Sequence, residues 1–409
     1  MFRTRLPDNQ SMTTSPTMLR LLGLAAFSSM ASMRVCDPML VALAQEFHVT
    51  TGDASAVIAA FAVSYGVLQL IYGPLGDRFG KVRVIIGATS ACAVFSAVTA
   101  MAPGLGVLVV SRAAMGAAAA GIIPLSMAWI GDQVPYAQRQ ETLARLMGAT
   151  VTGMMMGQWF GGLASETLGW RAAFAVLSAL FLVAAVLLVR QMRAGALASA
   201  QAGRGEGSAA AFSLSAYLLA TRDLLRIPRV RWVLAVVAVE GALAFGTVAF
   251  VPARMVNGFG LSASAAGGVM VLYGVGGLLY SLFARRWLAL LGERGLALAG
   301  GTLIAVGLLL LAWAPVVAWA IAGCFLAGLG FYMLHNTLQT QATQMAPQAR
   351  GTAVTLFACL LFLGQSVGVM LMAASVDRGW LAPVFTVASA GVLVLGALVA
   401  RSLRPHAHG

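Results

Sequence analysis

The chain has 409 residues, of which 60% are hydrophobic and only 10% carry a charge. Soluble domains carry about 25% charged residues, so this composition excludes a water-covered surface for most of the chain. The net charge of +13 does not indicate nucleic-acid binding, because the basic residues are spread over many short connections between apolar runs. We therefore expect a lipid bilayer to surround the chain, and we expect no nucleic-acid partner.

Apolar runs of about 20 residues, the length that crosses a hydrocarbon core, recur along the whole chain. The first run follows a polar segment directly and has no small-residue cleavage site after it, so we interpret it as a membrane helix rather than a signal peptide. Twelve spans are predicted, at residues 19–44, 54–74, 83–102, 105–130, 141–165, 169–190, 229–253, 262–283, 295–313, 315–336, 352–375 and 379–402.

One long polar stretch, 191–228, divides the twelve spans into two sets of six. The connections 73–85 and 284–295, which follow the second and the eighth span, are both rich in Gly and Arg, as expected for two parallel repeats. The predicted fold is an all-α membrane protein with twelve transmembrane helices in two pseudo-symmetric bundles. Its parts are an N-terminal tail at 1–18, a six-helix bundle at 19–190, a central loop at 191–228, a second six-helix bundle at 229–402 and a tail at 403–409.

The basic residues are distributed very unequally between the two sides of the predicted membrane. If the N-terminus is cytoplasmic, 21 Lys and Arg residues fall on cytoplasmic segments and three, Arg171, Arg254 and Arg378, on outer loops. Arg34 and Arg112 lie within spans. Lys and Arg accumulate on the cytoplasmic side of membrane proteins. We therefore predict that both termini are cytoplasmic, in the inner membrane of a bacterium.

The strongest local motif connects the second and third spans and reads Gly-Pro-Leu-Gly-Asp-Arg-Phe-Gly-Lys-Val-Arg over residues 73–83. Glycine permits a tight turn between two helices. An aspartate in such a turn can pair with cations of its own loop or with the N-terminal end of another helix. A basic cytoplasmic turn without further function is the alternative interpretation.

This motif resembles the signature G-x-L-[AG]-D-[RK]-x-G-[RK]-[RK] of the major facilitator superfamily, and the twelve spans extend the resemblance over essentially the whole chain. Val82 departs from the signature at its second basic position. The resemblance implies that Asp77 locks the cytoplasmic side against the start of the eleventh helix, near Gly351 and Thr352. The residues predicted to form this conformational gate are Gly73, Gly76, Asp77, Arg78, Gly80 and Lys81.

Four charged residues lie inside predicted spans, where an ionisable group is costly and marks a functional site by default. A rise of about 1.5 Å per residue places Arg34, Asp37 and Arg112 at a similar depth in the outer half of the membrane. Glu240 lies nearer the middle, in the second bundle. Charges of opposite sign at one depth can form a buried cluster.

Two of these positions match motifs of proton-driven members of the superfamily. Arg112, followed by Gly116 and Gly121, resembles a motif of the fourth span, which implies that Arg112 tunes a nearby carboxylate. Asp37-Pro38 resembles the acidic site in the first span of drug–proton antiporters. We predict Asp37 as the proton carrier, with Glu240 second, and an ion pair of Asp37 with Arg34 or Arg112 that only orders the bundle as the alternative.

The fifth span carries small residues four positions apart, a spacing that permits close helix packing. It resembles the exporter motif G-x-x-x-G-P-x-x-G-G, in which Gly153, Gly157, Gly161 and Gly162 match. Gln158 replaces the proline of that motif. This replacement keeps open an importer or facilitator of sugars or organic ions as the alternative to an exporter.

The resemblance further implies a substrate cavity between the two bundles, lined by Met33, Tyr65, Gln69, Phe245, Tyr273, Tyr332 and Gln365. The sequence has no nucleophile–base set, ATP-binding loop or metal-ligand spacing, so we expect neither an enzyme nor a cofactor nor a metal site. The predicted function is secondary active transport, with proton-coupled efflux of small amphiphilic, drug-like molecules or metabolites by alternating access. We expect the transporter to be a monomer, with protons and a small-molecule substrate as its ligands.

Overall fold

The computed structural model describes residues 16–201 and 221–403, except for the side chains of residues 195–201. The described residues are almost entirely helical and contain no strand. Most of the predicted N-terminal tail, the middle of the predicted central loop and most of the C-terminal tail lie outside this part of the chain, at residues 1–15, 202–220 and 404–409.

Twelve long helices are present in the described ranges, which confirms the predicted fold class. They are α1 Pro16–Phe47, α2 Thr51–Phe79, α3 Lys81–Ala100, α4 Leu105–Gln133, α5 Tyr136–Thr167, α6 Trp170–Gln201, α7 Pro228–Phe259, α8 263–291, α9 293–313, α10 Val317–Gln344, α11 Pro347–Asp377 and α12 Leu381–Ser402. Helices α8 and α9 are separated only by Gly292, whose φ of 63° and ψ of 175° interrupt the helix. A positive φ is a conformation that glycine adopts without strain.

Several helices continue beyond the apolar runs that predict them. Helix α5 begins at Tyr136 rather than at 141, and α6 extends to Gln201 rather than to 190. The first turns of α5 carry Arg139, Glu141 and Arg145, so the apolar run that predicts this span begins later than the helix does. A helix keeps its backbone hydrogen bonds when it leaves the hydrocarbon, and charged side chains are then hydrated.

Two helices are interrupted next to their buried charges. Helix α1 tightens into a 3₁₀ turn at Asp37–Met39, where Pro38 supplies no backbone donor. Helix α7 widens into a π-helical turn at Gly241–Phe245, directly after Glu240. Such turns change the direction of the backbone and occur frequently at functional sites. The distortions therefore coincide with the ionisable residues that the sequence singles out.

The two six-helix halves meet along two interfaces, α2 with α11 and α5 with α8. In the first interface the Ser366 hydroxyl donates to the Ala59 carbonyl at 2.9 Å. In the second, Gly267 of α8 approaches the backbone of Gln158. Helices α2 and α5 hold the places in the first half that α8 and α11 hold in the second. The two interfaces are thus related by the pseudo-symmetry of a repeated bundle.

Each interface ends in a carboxylate that meets a helix N-terminus of the other half. Asp377, at the end of α11, accepts from the Thr50 hydroxyl at 2.8 Å and from the Gly52 amide at 2.7 Å. Glu166, at the end of α5, accepts from the Ser264 amide at the start of α8 at 3.0 Å. Anionic groups are stabilised at helix N-termini. We call these two contacts the paired latches.

The latches lie on one face of the molecule, opposite the face that carries the connections at Gly80, 134–135 and 345–346. The second face, here called the basic face, is the one predicted to be cytoplasmic. A side chain added at Gly73 or Gly351 would meet no neighbour within 4 Å. These two glycines therefore face open space, whereas the halves are joined by hydrogen bonds at the latches.

The paired latches generate a prediction for the closure of their face. Asp377→Ala combined with Glu166→Ala removes both carboxylates, so the halves should separate more readily there. Spin labels at Leu168→Cys and Trp380→Cys, one on each half, should gain a longer-distance population in electron–electron resonance. The native cysteines do not interfere because all four are buried.

The matched control is Glu141→Ala, which removes an exposed carboxylate paired with Arg145 of its own helix on the basic face. Its distance distribution should equal that of the parent protein. Identical distributions in all three proteins would show that the latches do not hold this face closed.

Candidate functional site

The central charged cluster forms where α1 is interrupted. Asp37 is fully buried, and its Oδ2 atom accepts from Arg34 Nη1 at 3.3 Å and from Gln158 Nε2 at 3.2 Å. The other carboxylate oxygen, Oδ1, has no hydrogen-bond partner among the described residues. The Arg34 guanidinium lies 4.3 Å above the ring centre of Phe245, a residue of α7. The pair on α1 is therefore in contact with both α5 and the second half.

Arg112 lies near this cluster without a hydrogen bond to Asp37. Its Nη1 atom donates to the Ser32 carbonyl of α1 at 2.8 Å, and its guanidinium lies 4.3 Å from the ring centre of Phe61. A cation over an aromatic face is stabilised when it is desolvated. Arg112 still interacts electrostatically with Asp37. Of the two predicted ion pairs, the structure contains Arg34–Asp37, while Arg112 anchors α4 to α1.

The glycines of α5 explain how Gln158 reaches Asp37. A Cβ atom at each would fall far inside contact distance of a carbonyl oxygen on a facing helix, so the helices can approach this closely only at glycine. Gly153, Gly157 and Gly161 face Phe27, Ala31 and Val35 of α1, and Gly162 faces Ala263 at the start of α8. The motif therefore fixes α5 against α1 and against the other half.

Gln158 is a site residue that the sequence identifies only as a departure from a motif. Its position, between two glycines that face α1, is the signal that could have revealed it. A polar side chain beside such a close contact must lie near the α1 backbone, and Asp37 is the buried polar group there.

A second ionisable pair lies in the other half and was not predicted as a pair. Glu240 of α7 is fully buried, and its Oε2 atom lies 2.9 Å from His335 Nδ1 of α10. His335 stacks on Phe331 with a ring-centre distance of 5.0 Å. Counting about 1.5 Å per residue from the latch face puts His335 about 27 Å deep and Glu240 about 29 Å deep. The predicted end of the seventh span, at 253, lies short of Phe259, so the depth estimate from the sequence alone does not pair these residues.

A small cavity lies between the halves beside the Arg34–Asp37 pair. The cavity has a volume of about 10 Å³ and lies between α1 and α5 of one half and α7, α8 and α10 of the other. Its walls consist of Arg34, Val151, Met154, Met155, Gln158, Val248, Tyr273, Gly274 and Tyr332. This volume is about that of a single water molecule, so the walls must move apart before a small organic molecule can enter.

Two of the seven residues predicted for the substrate cavity, Tyr273 and Tyr332, are part of this wall. Phe245 lies behind it, under Arg34. Tyr65 packs edge-on against Phe362, at a ring-centre distance of 4.8 Å, in the α2–α11 interface. The remaining three, Met33, Gln69 and Gln365, are buried away from the cavity wall. Arg34 and the methionines Met154 and Met155 of α5 line this cavity together with the two tyrosines.

The predicted conformational gate lies on the basic face. Asp77 is 66% exposed and pairs with Lys81 at 3.7 Å, while Lys81 also binds Asp132 of α4. Gly80 adopts φ 88° at the turn, and Gly76 packs closely on Leu125. Arg78 lies over the ring of Phe79. Asp77 makes its ion pair with Lys81, and within the described residues no hydrogen bond joins it to Gly351 or Thr352.

Comparison with known proteins gives the family. The model of the Major Facilitator Superfamily matches residues 22–369, which is most of the chain. The uncharacterized MFS-type transporter YceJ of Bacillus subtilis is 27% identical over 341 residues, covering 81% of this chain and 82% of YceJ. The chloramphenicol resistance protein of Streptomyces lividans is 26% identical over 389 residues, covering 94% of this chain and 95% of that protein.

Among solved structures, the nucleoside transporter NupG superposes with a TM-score of 0.75 at 14% sequence identity, covering 95% of this chain and 99% of NupG. At this identity the similarity shows the fold alone. The chain belongs to the Major Facilitator Superfamily. It is a multi-pass membrane transporter, and it is not an enzyme.

The glycine contact between α1 and α5 generates a prediction for stability. Gly157→Ala places a methyl group against the Ala31 carbonyl, so the helices must separate. Overpacking of this kind costs about 1–3 kcal/mol. The thermal unfolding midpoint of the detergent-purified protein should fall.

Gly148→Ala is the control in the same helix, because a side chain at Gly148 meets no neighbour within 4 Å. Its midpoint should be unchanged or slightly higher, since alanine is the better helix former. Equal midpoints for the two variants would mean that Gly157 does not set the helix separation.

Proposed function

We propose that this transporter exports small amphiphilic molecules in exchange for protons, from the bacterial inner membrane and with both termini in the cytoplasm. The observation that carries the proposal is the buried Asp37 carboxylate, which is held by a cavity-lining arginine and keeps one oxygen atom unpartnered among the described residues. A carboxylate in such surroundings is balanced between burial, which favours its neutral form, and a nearby cation, which favours its charged form.

Proton and substrate act on the same arginine in this proposal. While Asp37 is charged, it holds one nitrogen of Arg34, and the rest of the guanidinium is presented to the cavity. Protonation weakens the hold of Asp37, because a neutral carboxyl group attracts the guanidinium less than a carboxylate does. Arg34 can then change its position between Asp37 on α1 and Phe245 on α7, and with it the contact between the halves. Antiport requires that the protonated protein favours the conformation opposite to the one that binds the substrate, and we propose that the loss of this ion pair changes that preference.

Alternating access follows from the pseudo-symmetric halves. In the conformation described here the latch face is joined across the halves by both latches, while Gly73 and Gly351 on the basic face meet no neighbour that a side chain would touch. We infer that substrate enters the cavity from the basic, cytoplasmic face. When the halves rock, the latches separate, and Asp77 can then approach the first turn of α11.

The relatives support export of drug-like molecules, since one of similar length is a chloramphenicol resistance protein. Glu240 and His335 form a second buried ionisable pair, and Glu240 is therefore the competing proton carrier. Import remains the rival direction because Gln158 stands where exporters carry proline. Its contact with Asp37 gives Gln158 a role that does not depend on direction.

Replacing Asp37 by asparagine tests the assignment of the proton carrier. Asparagine keeps the shape and can accept from Arg34 but does not titrate, so proton-driven accumulation should fall at least about tenfold while substrate exchange without a gradient persists. The measurement is uptake of radiolabelled chloramphenicol and of a fluorescent amphiphile by energised inverted vesicles, in parallel with counterflow in proteoliposomes.

Glu240→Gln and Glu141→Gln are measured alongside it. Glu141→Gln should transport as the parent does, whereas the response of Glu240→Gln shows whether the second pair shares the proton. Full proton-driven accumulation by Asp37→Asn would refute the assignment. Accumulation in right-side-out rather than inverted vesicles would reverse the direction.

A further inference from the structure

We propose that Arg34 and Tyr273 form the subsite for the polar end of the substrate, and that this end is a hydrogen-bond acceptor, a carbonyl or carboxylate oxygen, rather than a cation. The inference rests on the proposed function only in taking the central cavity as the substrate site. It adds the chemical class of the group that is recognised and the residues that recognise it.

The first observation is a set of buried donors on the cavity wall. Arg34 is 1% exposed and Tyr273 is 6% exposed, and both line the cavity. Arg34 Nε, Arg34 Nη2 and the Tyr273 hydroxyl have no hydrogen-bond partner within the described ranges. Buried polar groups of proteins almost always have partners. Unpartnered donors on two residues of one cavity wall indicate a ligand that supplies acceptors.

The second observation is the distribution of charge around the cavity. Arg34 is the one charged residue among the nine described residues that form the wall. The nearest carboxylates are engaged elsewhere, since Asp37 accepts from Arg34 and Gln158, and Glu240 is paired with His335. A cationic ligand supplies no acceptor to the unpartnered nitrogens of Arg34 and would lie beside a guanidinium. A neutral acceptor supplies what these donors lack, and an anion meets the Arg34–Asp37 pair, whose opposite charges offset each other.

The rest of the wall fits the apolar part of an amphiphile. Val151, Met154, Met155 and Val248 complete it. Methionine side chains are flexible and polarisable, so they adapt to ligands of different outline. Because Gly274 packs directly on Met155, α8 and α5 approach closely, and this contact limits the size of the ligand body.

The subsite spans the two halves of the transporter. Arg34 belongs to α1 of the first half, and Tyr273 belongs to α8 of the second. A single acceptor oxygen bound by both would link the halves, whereas a ligand held by one half alone would not. Recognition of the acceptor is thereby connected to the relative movement of the halves.

Direct binding to the purified full-length protein tests the proposal without any proton gradient. The probes share a naphthalene body and differ in the polar end: naphthaleneacetate, naphthaleneacetamide and naphthylmethyl-trimethylammonium. The parent protein should bind the acetate and the amide at least about tenfold more tightly than the ammonium compound, in calorimetry at constant pH.

Tyr273→Phe removes one hydroxyl group and leaves the ring, so its fold should be retained. It should weaken binding of the acetate and the amide about tenfold and leave the ammonium compound unaffected. Tyr280→Phe is the control on the same helix, because Tyr280 packs on Trp287 outside the cavity wall. This control should bind all three probes as the parent does.

Tighter binding of the ammonium compound, equal affinities for the three probes, absence of binding by any of them, or an unchanged affinity of Tyr273→Phe for the acceptors would each overturn the proposal. Since no gradient is present, these results are independent of the Asp37→Asn transport assay. The two proposals can therefore fail separately. Asp37→Asn tests proton coupling in the transport assay, whereas the preference of the parent protein for the acetate and the amide over the ammonium compound tests the subsite.

Discussion

The close approach of α5 to α1 is the constraint on which the central site depends. Three glycines place the backbone of α5 against carbonyl groups of α1, and at this distance Gln158 can share a carboxylate oxygen of Asp37 with Arg34. Breaking a buried ion pair leaves an uncompensated charge in a medium of low dielectric constant. The positions of Arg34, Asp37 and the cavity wall are therefore set by packing between backbones.

The arrangement of charge in the two halves is unequal, although their helices are related by pseudo-symmetry. The first half holds Arg34, Asp37 and Arg112, whereas the second holds Glu240 with His335. The interfaces at the latch face, in contrast, are built alike, with a carboxylate of one half on a helix end of the other. Symmetry is thus kept at the latch face and lost among the buried charges at the centre of the protein.

The number of helices and their approximate positions could be predicted from hydropathy, because the hydrocarbon imposes a minimum apolar length. The predicted ends were wrong where polar turns extend a helix, as at the start of α5. The estimated depth in the membrane could pair Arg34 with Asp37. The position of the Gln158 side chain depends on how α5 is rotated about its axis, and the depth of a residue does not give this rotation. The residues of the cavity wall could not be predicted. They are determined by the faces of α5 and α8 that pack against each other, and the hydropathy of the sequence does not give these faces.

The π-helical turn in α7 has a further consequence for the path of that helix. It contains one residue more than an α-helical turn, and each residue of an α-helix corresponds to about 100° of rotation around the axis. If the π-helical turn moved along α7, the residues between its old and its new position would rotate around the helix axis by about 100°. If the turn became α-helical instead, all residues on one side of it would rotate by the same angle relative to those on the other side. Phe245, which lies at the end of the turn and under Arg34, would then leave the guanidinium. The widened turn thus gives α7 a means of exchanging the side chains that face the centre of the protein without unfolding.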